Sequence, residues 1–169
     1  MISLRNKFKN FGPLEILVIS SFLYAFAMLI WTGTTRHDVL EKADNIKNNH
    51  KNVVEFLNNE INKCTQDLQK QTSWGEDCSS TWTTSVIIEN ILKKVKLKNP
   101  YSINKPLIQS SSDPRIDAEG KAGQSTNKGI IFVTANDFTA EAGSEWIIGT
   151  CIKSPCVAAG NNELVSIYR

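Results

Sequence analysis

The sequence predicts an α+β chain in which a long N-terminal helix, half membrane-spanning and half amphipathic, packs on a small antiparallel β-meander. Three observations carry that expectation. Leu14 to Trp31 is an 18-residue apolar run whose only charge is Glu15. Apolar residues then recur at threes and fours from Val39 to Leu68, and the C-terminal stretch holds three β-branched and aromatic runs separated by turn material. With 169 residues, the chain is expected to form one ordinary domain plus an appendage.

The appendage is the apolar run. At ~1.5 Å per helical residue it spans roughly 27 Å, close to the hydrocarbon thickness of a bilayer. Arg5, Lys7 and Lys9 precede it with no acid among them, whereas the far flank mixes Arg36 and Lys42 with Asp38 and Glu41. By the positive-inside rule the N-terminus stays in the cytoplasm and the remainder is exported. A cleaved secretory signal is the competing reading, but the run is longer than the ~7–15 residues of such a core, and WTGTT is a poor cleavage site.

Beyond the run, Val39, Ala43, Ile46, His50, Val53, Leu57, Ile61, Cys64 and Leu68 form one stripe of an amphipathic helix, widened by Val54 and Phe56. The intervening Asn, Lys and Glu residues form its wet side. Only TGTT separates the membrane run from Arg36, so one helix is expected to continue across both halves, loosened at Gly33. The polar stretch QTSWGEDCSS interrupts it. A second helix is expected over 80–97, with Trp82, Val86, Ile88, Ile91, Leu92 and Val95 as its apolar side and Asn99-Pro100 as its stop. Residues 99–128 read as a long surface loop. Strands are expected at 129–136, 145–152 and 163–168, joined as a meander over the helix stripe. Residues 1–10 are thus a basic cytoplasmic segment, 11–32 the membrane helix and 33–169 an exported domain.

Cys64, Cys78, Cys151 and Cys156 all fall on the exported side, where an even count reads as two disulfides. Of the three connectivities, the local pairing of Cys64 with Cys78 and Cys151 with Cys156 closes the shortest loops. A four-thiolate zinc site is the alternative, but the spacings lack paired C-x2-C knuckles. Catalysis is poorly supplied, and no enzyme, cofactor or metal is expected. His37 and His50 would stand about 20 Å apart along one helix, too far to share an ion. No G-x-S-x-G elbow and no phosphate-binding glycine loop is present. Asp113, Asp117 and Glu119 lack EF-hand spacing and read as a solvated loop. The near balance of 19 basic and 17 acidic residues argues against a chain electrostatically dedicated to nucleic acid.

The N-terminus is the most informative segment. A basic leader runs to Asn10, and Phe11-Gly12-Pro13-Leu14-Glu15 then opens an apolar helix with no other acid. Here the chain resembles type IV pilins and the related pseudopilins of secretion systems. In that family a membrane peptidase removes the leader, the mature chain begins with Phe or Met, its fifth residue is Glu, and the new N-terminus is methylated. Taking Phe11 as first makes Glu15 fifth. The family usually has Gly before the cut, where Asn10 stands here; a cut after Gly12 would leave Pro13 first and Glu15 third. The layout of helix, variable loop, sheet and disulfide-bounded C-terminal region is similar too, and Asn99-Pro100-Tyr101 is similar to a turn in some pseudopilins.

The resemblance implies a structural subunit that polymerises through its apolar helix into a helical, homo-oligomeric filament at the cell surface. Its partners would be the membrane before assembly, the leader peptidase and the pilus assembly machinery. Adhesion and secretion are the associated roles. Independently, an acid just inside an apolar helix is costly unless it reaches the interface or a cation, so Glu15 would favour a defined register between helices if that cation belonged to a neighbour. Its alternatives are water at headgroup level, Lys9, or the helix dipole. Ser20, Ser21, Ala25 and Ala27 are small enough for close helix approach, and equally suited to a lone anchor. The rival readings are a single-span accessory or sensor subunit of an envelope complex, and an exported hydrolase using an unrecognised Ser or Asp.

Overall fold

Pro13 sets where the first helix begins: its ring fixes a helical φ, and the amide hydrogen it lacks has no acceptor in a first turn anyway. The computed structural model of the protein describes residues 12–66, 69–101, 104, 106–119, 127–135, 139–140 and 145–168. From Pro13 the helix α1 (Pro13–Thr65) runs through Gly33 without interruption. Residues 1–11, Asn10 and Phe11 among them, lie outside the described residues, as do Leu68 and residues 120–126. The chain divides into two compact units, Met1–Leu40 and Glu41–Arg169.

In the second unit, α1 is followed by β1 (Trp82–Thr83), α2 (Thr84–Lys94), β2 (Ile108–Ser110), α3 (Pro114–Glu119), β3 (Ile131–Ala135), β4 (Thr139–Ala140), β5 (Glu145–Cys151) and β6 (Asn162–Tyr168). The main sheet has the order β2-β3-β5-β6, and β1 pairs with β4 in a separate two-stranded ribbon. The pairs β3–β5 and β5–β6 are antiparallel, whereas β2 runs parallel to β3. The architecture is therefore α+β with a mixed four-stranded sheet, and the expectation of a purely antiparallel meander is corrected at one edge. The cause lies in 99–128, expected as a loop: it contributes β2, whose Ile108 sits opposite Ile131, and then α3.

Strand alternation decides which residues meet α1. Registers place Ile131, Val133 and Ala135 beside Thr150, Ile148 and Trp146, with Val165 and Ile167 continuing that face on β6. Ile131, Val133, Ala135, Trp146, Ile148 and Ile167 are buried in one core with Val53, Leu57 and Ile61 of α1 and with Ile87 and Ile91 of α2. Each Val, Leu or Ile among them contributes about 1.5–3 kcal/mol on burial. The opposite face is covered by α3. There Gly149 of β5 lies so close to the helix that an added Cβ would stand 2.4 Å from the Pro114 carbonyl oxygen and 2.9 Å from Ala118 Cβ. Asp113 caps α3, accepting from the Arg115 amide at 3.0 Å, and Pro114 takes the first helical position. Asp117 accepts from the Ser111 hydroxyl at 2.5 Å. Both carboxylates are structural rather than merely solvated.

The second helix is shorter than 80–97. Trp82 and Thr83 are extended, Thr83 is the N-cap with its hydroxyl accepting from the Val86 amide, and the helix ends before Val95. Thr84, Ile87 and Ile91 form its buried face, whereas Leu92 is 53% exposed. Beyond the helix the burial period changes from that of a helix to that of a strand: Val95 and Leu97 are half-buried against the core, and the lysines between and after them are exposed.

Candidate functional site

The first unit is defined by what its helix leaves uncovered. Its large apolar side chains from Leu14 to Trp31 are between 40% and 77% exposed, and they occur on every side of the helix. A helix apolar all round suits a medium that is itself apolar. α1 is long and apolar enough here to span a membrane. The serine and threonine hydroxyls here are turned back onto their own helix: Ser20 donates to the Leu17 carbonyl at 2.9 Å, Ser21 to Val18 at 2.8 Å and Thr32 to Met28 at 2.9 Å. Thr34 and Thr35 do the same toward Ile30 and Trp31. Each of these serine and threonine hydroxyls thus has a partner that requires no water.

Glu15 occupies the third helical position, and its carboxylate accepts from the Gly12 amide at 2.8 Å, while the Glu15 amide donates to the Gly12 carbonyl at 3.0 Å. This is the Glu half of a capping box. The acid therefore has a local role in starting the helix, a partner that the spacing argument did not consider.

In the second unit, two disulfides join Cys64 to Cys78 and Cys151 to Cys156. The first ties the end of α1 to the segment 69–80. That segment is also held by Glu60, which is 3% exposed although the periodicity assigned it to the wet side. Glu60 accepts from the Ser73 amide at 2.8 Å and from the Lys63 ammonium at 3.0 Å. Burial alone would raise its carboxyl, but the Ser73 amide and Lys63 outweigh it and hold the group below the ordinary carboxylate value. Glu60→Gln is expected to cost about 1–2 kcal/mol, since the amide keeps the volume but loses the charge-assisted bonds. A lowered urea midpoint in the full chain, followed through the buried tryptophans, is the check.

Asn49 is likewise buried rather than wet, its side-chain amide donating to the Lys98 carbonyl at 2.9 Å. Both residues flank the apolar stripe by one helical position, a signal that was available in the spacing. Asn99-Pro100-Tyr101 is an anchor: Asn99 Oδ1 accepts from the Tyr101 amide at 2.9 Å, and the Tyr101 hydroxyl donates to the Ile152 carbonyl at 2.9 Å. Tyr101 also packs on Ala43, Ile46 and Ile152. Gly129 passes beneath this turn with φ +82°, where a Cβ would stand 2.7 Å from Asn99 Oδ1. Only glycine meets both demands without strain.

His50 is 2% exposed, with Nδ1 2.9 Å from the Thr150 hydroxyl. Nε2 is buried and lacks a hydrogen-bond partner. Burial pushes its pKa down to about 4, so the neutral ring is the form that fits the helix–sheet interface. Val39 is 47% exposed, so the buried part of the stripe begins at Ala43. Among the described residues, no group of three or more His, Cys, Asp or Glu side chains is arranged to hold a metal ion. No protein-family model, curated protein or solved structure matches the chain.

Proposed function

We propose that the chain is a structural subunit of a type IV pilus-like or pseudopilus-like filament, anchored in the cytoplasmic membrane before assembly and polymerising through its N-terminal apolar helix. The observation that carries the proposal is the 14–31 segment of α1, exposed and apolar on all sides with its serine hydroxyls bonded internally. Such a segment requires lipid or like helices around it, and in a helical assembly each copy exchanges lipid contacts for contacts with its neighbours. The N-terminus stays inside and the Glu41–Arg169 unit outside, in keeping with the basic residues that precede the run. The leader is cut between Asn10 and Phe11, and no catalytic activity is assigned.

One observation favours a second reading, a single-span accessory or sensor subunit that never polymerises. The Glu15 carboxylate already has the Gly12 amide as partner and needs no neighbouring chain to supply a cation. Mass spectrometry of the N-terminus and electron microscopy of native material separate the two. Filaments containing a chain that begins at Phe11 are expected. An intact leader on a dispersed, membrane-bound chain overturns the filament reading and leaves the anchor.

A further inference from the structure

On β5 the side that meets α1 reads Trp146, Ile148, Thr150, and on β6 it reads Ile167, Val165, Glu163. Thr150 and Glu163 are direct register partners, so the apolar face ends in two polar side chains that stand next to each other. Against them α1 places His50, on the stripe between Ile46 and Val53. Three positions where the pattern asks for apolar residues are thus polar, and such local breaks of the pattern mark function.

One bond joins the three. The Thr150 hydroxyl is fully buried and has only His50 Nδ1 as partner, at 2.9 Å, so it donates to that nitrogen. The ring hydrogen therefore lies on Nε2, which is buried and has no acceptor in the protein. Glu163 is half-buried, and among the described residues its carboxylate has neither a hydrogen bond nor an ion pair. Beside this group a cavity of about 310 Å³ opens between α1 and β6, lined by His50, Lys47, Lys51, Val54, Glu163 and Val165. Ligand sites begin at about 300 Å³, so its occupant is small.

The walls differ in charge. Lys47 and Lys51 are one turn apart on α1 and border the cavity from the same side. Lys47 has no ion pair among the described residues, and Lys51 has only an exposed contact with Glu55 at 3.6 Å. The β6 wall carries the carboxylate of Glu163, and Val54 and Val165 supply apolar surface. We propose that this cavity binds a free α-amino acid with a small apolar side chain. The ligand carboxylate accepts from His50 Nε2 and pairs with Lys47 and Lys51, its ammonium pairs with Glu163, and its side chain packs on the two valines. A simple anion leaves Glu163 without a partner. A metal ion would find two ligating side chains, His50 and Glu163, and two ammonium groups that repel it. The site lies within the Glu41–Arg169 unit, and the inference stands whether or not the chain polymerises.

The test is long-range ¹H–¹⁵N NMR of the histidine rings in the full chain, at neutral pH in a non-ionic detergent, titrated with L-valine. His37, in the other unit, is the internal reference. A saturable shift of the His50 Nε2 resonance is expected, with His37 unmoved. Isovalerate lacks the ammonium and isobutylamine lacks the carboxylate, so each is expected to bind about tenfold more weakly for the charge-assisted bonds it has lost. Lys47→Gln with Lys51→Gln is expected to weaken L-valine by about tenfold as well. Glu163→Gln is expected to weaken L-valine to the level of isovalerate and to leave isovalerate unchanged, a distinction that a general loss of structure would not produce. The proposal is overturned by the absence of a saturable shift at millimolar L-valine, or by isovalerate binding as tightly as L-valine. A response to Zn²⁺ without one to L-valine also overturns it and gives His50 and Glu163 to a metal.

Discussion

Gly149→Val is expected to destabilise the second unit by about 3 kcal/mol, the upper end of what overpacking a filled site costs. The position has no room because α3 crosses it. A Cβ would lie 2.4 Å from the Pro114 carbonyl oxygen, an atom of the backbone and not the movable end of a side chain. Relief therefore requires α3 to lift away, which exposes the face of the sheet it covers and disturbs the cap at Asp113 and the Ser111–Asp117 bond. A urea titration of the full chain followed by tryptophan fluorescence reads the loss as a lower midpoint with an unchanged slope. Gly160→Ala makes a useful contrast. That site has φ +77°, so the variant carries backbone strain, but an added Cβ there meets nothing within 4 Å. A Gly149→Val protein as stable as the parent would show that α3 does not pack where it is placed.

The same glycine illustrates what the sequence made legible and what it left hidden. Periodicity sustained over several turns revealed the amphipathic half of α1, and β-branched runs of five to seven residues revealed β3, β5 and β6. β2, with three residues, and α3, with six, are too short for any period to emerge, so the segment that carries them read as loop. Yet EWIIGTC contains a glycine inside a strand run, which marks close approach by another part of the chain. Followed through, that signal asks for a covering element on the second face. Trp82 shows the opposite difficulty. Its spacing fitted the apolar side of a helix, but the Thr83 cap starts that helix one residue after Thr83, leaving Trp82 extended and 1% exposed.

At the candidate site, the apolar helix was legible because its signal is composition over 18 residues. The role of Glu15 was not. Whether a carboxylate bonds its own helix start or another chain depends on the rotamer of one side chain, which spacing leaves open.

Stability is expected to fall by about 3 kcal/mol as the pH drops from 7 toward 4, and His50 is the cause. Its folded pKa of about 4 lies below the ordinary 6.5. The unfolded chain therefore binds a proton in the window between these values that the folded chain does not, and stability must rise with pH across it. The contribution is complete above about 6.5 and is lost progressively as the pH falls toward 4, at ~1.36 kcal/mol per unit of separation. Thr150 faces His50 from β5, and the pocket beside it is lined by Lys47 and Lys51 of α1 and by Glu163 of β6. Glu60 acts lower on the scale. Its folded value is depressed, so its contribution is present above the ordinary carboxylate value and is lost only as the pH falls through the folded one. The two are separable by substitution. His50→Gln preserves a hydrogen-bonding group near Thr150 but cannot titrate, so its stability profile is expected to be flat between pH 6.5 and 4.5 where the parent slopes. Glu60→Gln keeps that slope and removes acid sensitivity further down. Urea midpoints measured at half-unit intervals from pH 7.5 to 3.5 test both assignments, and a His50→Gln profile parallel to that of the parent would remove the histidine from the account.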